Sequence, residues 1–79
     1  MPISKLSKGQ KQLRMRLGRN LLVVRQAKQW TQEEAAHRIG VHFRHLQKLE
    51  YGQANVTLDT LGKLAKGFGL DASDLLKSK

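Results

Sequence analysis

The stretch Thr31-Gln32-Glu33-Glu34-Ala35-Ala36-His37-Arg38-Ile39-Gly40-Val41-His42-Phe43-Arg44-His45-Leu46-Gln47-Lys48-Leu49-Glu50 decides how the whole chain reads. Thr31 offers a hydroxyl to the free N–H groups of a first helical turn, and Glu33 and Glu34 complement the helix dipole there. That helix, about residues 32–39, is short because Gly40 follows where a left-handed backbone is needed. Val41 supplies an apolar anchor. A second helix, about residues 42–50, then sets Leu46 and Leu49 on one face, with Arg44, Gln47, Lys48 and Tyr51 roughly opposite. One side packs and the other is free to read a ligand.

Working outward, Ser7-Lys8-Gly9-Gln10 has the form of a capping box, and Leu13, Leu17, Leu21 and Val24 then repeat at helical spacing. A first helix is expected from about Lys8 to Lys28. Beyond the decisive stretch, Gly52-Gln53-Ala54-Asn55 reads as a polar loop. Thr57 caps a fourth helix with an apolar stripe of Leu58, Leu61, Leu64, Ala65 and Phe68, closed by Gly67 and Gly69. Asp71-Ala72-Ser73-Asp74 opens a last short helix carrying Leu75 and Leu76. Gly62, inside the fourth helix, reads either as a close approach by a neighbour or as simple tolerance. The expectation is an all-α fold of five helices: one domain at residues 7–79, preceded by a flexible basic arm at residues 1–6.

Composition narrows the function. The 79 residues carry 15 Lys and Arg against 6 Asp and Glu, a formal charge of +9, and no Cys. Without Cys there is no disulfide framework or thiolate metal site, and the fold rests on packing at a size where cores are marginal. The longest apolar run, Leu21-Leu22-Val23-Val24, is far short of the roughly 20 residues that span a bilayer. Residues 1–5 lack the apolar core of a signal peptide, so a cytoplasmic protein is expected. Eight Lys and Arg and no acid fall in residues 1–32, whereas residues 33–79 net only +1. Lys5, Lys8, Lys11, Arg14, Arg16 and Arg19 recur along one element, a pattern suited to a phosphate backbone or an anionic lipid surface, or to a merely solvated face.

Thr31-Gln32-Glu33-Glu34-Ala35-Ala36, Ile39-Gly40-Val41, Leu46, Leu49-Glu50-Tyr51-Gly52 and Leu58-Asp59-Thr60-Leu61 together resemble the Cro/repressor-type (XRE-like) helix-turn-helix family, over about Leu17 to Leu76. The resemblance implies a compact five-helix, lambda-repressor-like domain. It also implies binding to double-stranded operator DNA as a symmetric homodimer, with the third helix as recognition helix in the major groove. The residue chemistry agrees. Arg44 suits guanine O6 and N7, Gln47 suits adenine, Lys48 reaches a second base or a phosphate, and Phe43 offers apolar contact to a thymine methyl. Arg44 and Lys48 also fit phosphate contact without readout, and Phe43 fits packing on a neighbouring side chain.

By the same resemblance, the Gln32 amide and the helix N–H groups beside it face a phosphate, and the loop at Tyr51, Gln53 and Asn55 lies along the opposite backbone strand; the His42 imidazole is read as a further phosphate contact. Arg25 and Glu50 fall where the family has a buried ion pair clamping the first helix to the third. The chain departs from the pattern at three places. His42 stands where Ser or Thr would cap the third helix, and Gln29 where Gly commonly ends the first. Ala35 replaces a larger aliphatic, with Trp30 expected to fill the space.

The dimer is expected to use Phe68, Leu70, Leu75 and Leu76, read as more apolar surface than one small core absorbs. Its palindromic half-sites would then lie about one helical turn, roughly 34 Å, apart. Asn55-Val56-Thr57-Leu58-Asp59-Thr60-Leu61 is more similar to restriction–modification controllers than to phage repressors. No sensor or catalytic domain fits this length, so regulation is expected through occupancy and dimerisation. Alternatives are an antitoxin-type interaction protein autoregulating its operon, and RNA or membrane-surface binding through residues 5–19. A protein partner, toxin or RNA polymerase, is compatible with the family. His37, His42 and His45 lack the acid or Cys that would complete a tetrahedral metal site. No cofactor and no catalysis are expected, because no phosphate-cradling loop or deep pocket is foreseen.

Overall fold

The computed structural model describes residues 7–78; the basic arm at residues 1–6 lies outside the described residues. Five helices follow in order: α1 Lys8–Ala27, α2 Gln32–Ile39, α3 Phe43–Glu50, α4 Leu58–Phe68 and α5 Ala72–Leu76, with no strand among the described residues. Each start has a local cause. The Ser7 hydroxyl accepts from the Gln10 N–H at 3.1 Å, and the Gln10 carboxamide accepts from the Ser7 N–H at 2.7 Å, so two otherwise unpaired donors are satisfied reciprocally. Thr31 and Thr57 cap α2 and α4 through the N–H groups of Glu34 and Thr60.

α1 ends one residue earlier than the periodicity suggests. The chain leaves it through Gln29 at φ +60°, a left-handed conformation in a side chain that ordinarily avoids it. The family's glycine is missing here, yet the backbone keeps the glycine geometry.

The core is drawn from all five helices: Leu17 and Leu21 of α1, Ala35, Ala36 and Ile39 of α2, Leu46 and Leu49 of α3, Leu61, Leu64, Ala65 and Phe68 of α4, and Leu75 of α5. Trp30 packs against this cluster and stacks on Phe68, ring centroids 5.8 Å apart, and Ala35 is fully buried. Burying each large side chain contributes about 1.5–3 kcal/mol, so those the core has taken are held there. Phe68, 2% exposed, and Leu75, fully buried, are therefore consumed by their own chain. This corrects the expectation that they supply surplus surface for a dimer. Leu70 and Leu76 remain half-buried.

Two glycines permit close helix approach. A Cβ on Gly18 of α1 would sit 2.6 Å from the Leu49 carbonyl oxygen at the end of α3, and one on Gly67 would sit 2.6 Å from Ile39 Cγ1. Gly62 has open space around it, so tolerance is its explanation. Asn20, the buried polar side chain of α1, donates to the carbonyls of Leu75 at 2.7 Å and Lys77 at 2.9 Å. It thereby satisfies the end of α5 and pins that helix to α1. Among the described residues, no helix is long and apolar enough to cross a membrane.

Candidate nucleic-acid interface

α2 and α3 meet through a turn whose geometry is set residue by residue. Gly40 takes φ +87° and its N–H returns to the Ala36 carbonyl, as does that of Val41, which is half-buried against the core. The chain is thereby redirected within two residues, and His42 opens α3. Its Nδ1 accepts from the Arg44 N–H at 3.1 Å, so an imidazole does what the missing hydroxyl would have done. Leu46 is fully buried and Leu49 1% exposed, which fixes the rotation of α3 about its axis. Arg44 and Lys48 are then exposed on the outer side, with Gln47 half-buried between them. Phe43 is half-buried and packs against the edge of the core.

Below α3 lies a charged clamp. The Arg25 Nε donates to Glu50 Oε2 at 2.6 Å and Nη2 to Oε1 at 3.0 Å, a two-pronged pair with side-chain exposures of 12% and 2%. The remaining Arg25 edge, through Nη1, donates to the Trp30 carbonyl at 2.8 Å. Gln32 Nε2 adds a third donor to Glu50, at 2.8 Å. One carboxylate thus ties the end of α1, the start of α2 and the end of α3 together. The sequence reading places the Gln32 amide outwards; the structure turns it onto Glu50, because a carboxylate removed from water needs donors for its lone pairs. The N–H groups of Gln32 and Glu33 at the first turn of α2 have no acceptor among the described residues, and they are what this end of the helix offers an anion.

The loop after α3 also differs from expectation. The N–H groups of Tyr51, Gly52 and Gln53 return to the carbonyls of Gln47, Leu49 and Lys48. These amides close the helix and are spent; the side chains of Tyr51, Gln53 and Asn55 are exposed. Gly52, at φ +72°, lies against Met15 of α1, so the loop's position depends on α1 as well as α3. The surface thus brings together Arg44, Gln47, Lys48, Tyr51 and the free N-terminus of α2, with Phe43 and Gln32 partly withdrawn. Three features carried no signal in the sequence: the Gln32–Glu50 bond, the Asn20 contacts and the Gly18 approach. Each joins residues distant along the chain. Among the described residues, no three His, Cys, Asp or Glu gather to hold a metal ion.

Residues 23–75 match the helix-turn-helix family model HTH_3. The chain is similar to several solved structures, among them these three. The restriction–modification controller protein C.AhdI from Aeromonas hydrophila is 31% identical, with 78% of this chain and 94% of that chain covered, at a TM-score of 0.75. The hypothetical transcription factor NHTF from Neisseria is 28% identical, covering 98% of this chain and 87% of its own, at 0.80. The clp gene regulator ClgR from Corynebacterium glutamicum is 31% identical, covering 81% and 68%, at 0.75. No curated protein matches significantly. Family and fold correspond to regulators and not to enzymes. With its all-α five-helix architecture, its Gly40 turn and this match over most of its length, the chain belongs to the HTH_3-type, XRE/Cro-like helix-turn-helix family of DNA-binding regulators.

Proposed function

We propose that the protein is a sequence-specific transcriptional regulator that binds a palindromic operator as a homodimer, with α3 in the major groove. The observation that carries this reading is the two-sidedness of α3: Leu46 and Leu49 are buried beneath it while Arg44 and Lys48 stand exposed on the opposite side. A helix of this width fits the major groove, where base edges present distinguishable donor and acceptor patterns. Arg44, Lys48 and Gln47 are the reading side chains, and Phe43 supplies an apolar edge to a thymine methyl. The phosphate contacts are the first-turn N–H groups of α2 at Gln32, with His42, Tyr51, Gln53 and Asn55 flanking them. The 31% identity with a restriction–modification controller favours a controller-type regulator over a phage-repressor-type one.

For the dimer, the surface left after the core has taken Phe68 and Leu75 is a groove between the start of α1 and the start of α4. Leu58 is 85% exposed and Leu13 46% exposed there, with Val56 and Leu76 alongside. Leu70, beyond the far end of α4, does not line this groove. Selection of bound duplexes from a random pool tests the reading: an enriched motif with two-fold symmetry is expected. Arg44→Ala is then expected to weaken binding to that motif by about 1–3 kcal/mol and to relax preference at one base pair. Equal losses on motif and scrambled duplex refute a reading role for Arg44.

A further inference from the structure

On the flank of α2 facing α4, none of it formed by α3, lies an open cleft of about 760 Å³. Its walls carry His37, Arg38, Lys63 and Lys66, all exposed, and Trp30 closes one end. Lys28 stands over the same indole, its Nζ 5.3 Å from the ring centroid. Glu34 is the acid at this rim, and it is engaged: its Oε2 accepts from Arg38 Nε at 3.2 Å and Nη2 at 3.1 Å. The Arg38 guanidinium carbon also lies 4.7 Å from the Trp30 centroid. Held by a carboxylate on one edge and a ring on its face, this guanidinium is pre-oriented and keeps its Nη1 edge for a further oxyanion.

Basic residues in a last helical turn ordinarily answer the helix dipole, and Arg38 and Lys66 fit that account. Lys28, the C-cap of α1, fits it as well, whereas Lys63 lies more than a turn before the end of α4 and exceeds what the dipole asks for. We propose that this cleft docks an acidic segment of a partner protein, one that carries an apolar residue beside its carboxylates, while α3 is occupied elsewhere. The cations are spread over three segments of chain, which suits a run of carboxylates better than one small anion. The Ile39 and Gly67 floor and the Trp30 edge add apolar contact that a phosphate backbone would not use. Because the walls come from α2 and α4, a ligand here leaves the outer face of α3 uncovered.

Trp30 is the chain's one tryptophan, so its indole N–H resonance is a unique reporter inside the cleft. The test titrates the isotope-labelled full chain with a short synthetic peptide alternating Asp or Glu with Leu. Separate titrations use tripolyphosphate and a duplex. The peptide is expected to shift the Trp30 indole and the amides of residues 37, 38, 63, 66 and 67 saturably. Lys63→Glu combined with Lys66→Glu should weaken that binding by about tenfold or more. Lys8→Glu with Lys11→Glu, an equal change in net charge, should weaken it less than about threefold. Three results overturn the proposal: peptide shifts centred on α1, equal losses in the two double variants, or a duplex or tripolyphosphate shifting the cleft as strongly as the peptide does.

Discussion

Replacing Glu50 by Ala is expected to cost more than any substitution on the outer surface of α3. The carboxylate is 2% exposed and accepts two bonds from Arg25 and one from Gln32. Its removal strands a guanidinium whose side chain is 12% exposed, with the Trp30 carbonyl as its remaining partner. Breaking one side of such a pair costs about 3–5 kcal/mol. A chain of this length has a total stability of about 4–12 kcal/mol, so the loss is about a quarter of it or more. At about 4–8 °C per kcal/mol, the melting temperature should fall by at least about 12 °C. Urea and thermal unfolding, followed by Trp30 fluorescence and circular dichroism, measure the change. Glu50→Leu combined with Arg25→Met removes both charges, and it should recover much of the loss of either single variant, giving a coupling energy of about 1–3 kcal/mol. A loss below about 1 kcal/mol for Glu50→Ala, or strict additivity in the double variant, refutes the clamp.

Gly18→Ala and Gly62→Ala should move stability in opposite directions. The first drives a methyl to within 2.6 Å of a backbone carbonyl and should cost about 1–3 kcal/mol. The second enters open space in a helix and should gain up to about 1 kcal/mol; both are read from urea midpoints. Asp74 of α5 is bonded to Lys77 and to the Asp71 N–H, which holds its carboxyl below the ordinary value of 3.8. Its stabilising effect is therefore complete above that value and is lost as pH falls through the depressed one. Asp74→Asn should abolish this part of the acid profile, as followed by the α5 amide resonances. Leu58→Asp, at the exposed start of α4, should shift sedimentation from dimer to monomer while leaving the helical spectrum intact; an unchanged mass places the interface elsewhere.

The fold was largely legible because its punctuation is local. Ser7 with Gln10, Thr31 with Glu34, and Gly40 act within four residues of themselves, and so each can be read from a short window. What was hidden depends on packing between distant segments. Phe68 and Leu75 look like surplus apolar surface until five helices are seen to share one core. Gly18, Gly62 and Gly67 are indistinguishable as letters; a neighbour's backbone or side chain gives two of them a role. Gln32 faces outward by family pattern and turns inward because a buried carboxylate eighteen residues away takes it as a third donor beside Arg25. At the site, the outer position of Arg44 and Lys48 follows from helical periodicity alone, whereas the spent amides of residues 51–53 follow from how α3 closes.

The Glu50 clamp has an evolutionary corollary. It anchors α3 from beneath, and the side chains of Arg44, Gln47 and Lys48 form no hydrogen bond or ion pair with the other described residues. With the proposed reading roles of those side chains, folding and target choice fall on opposite sides of one short helix. If the proposed reading holds, a lineage can exchange those three letters and acquire a new genomic address without first repairing its scaffold.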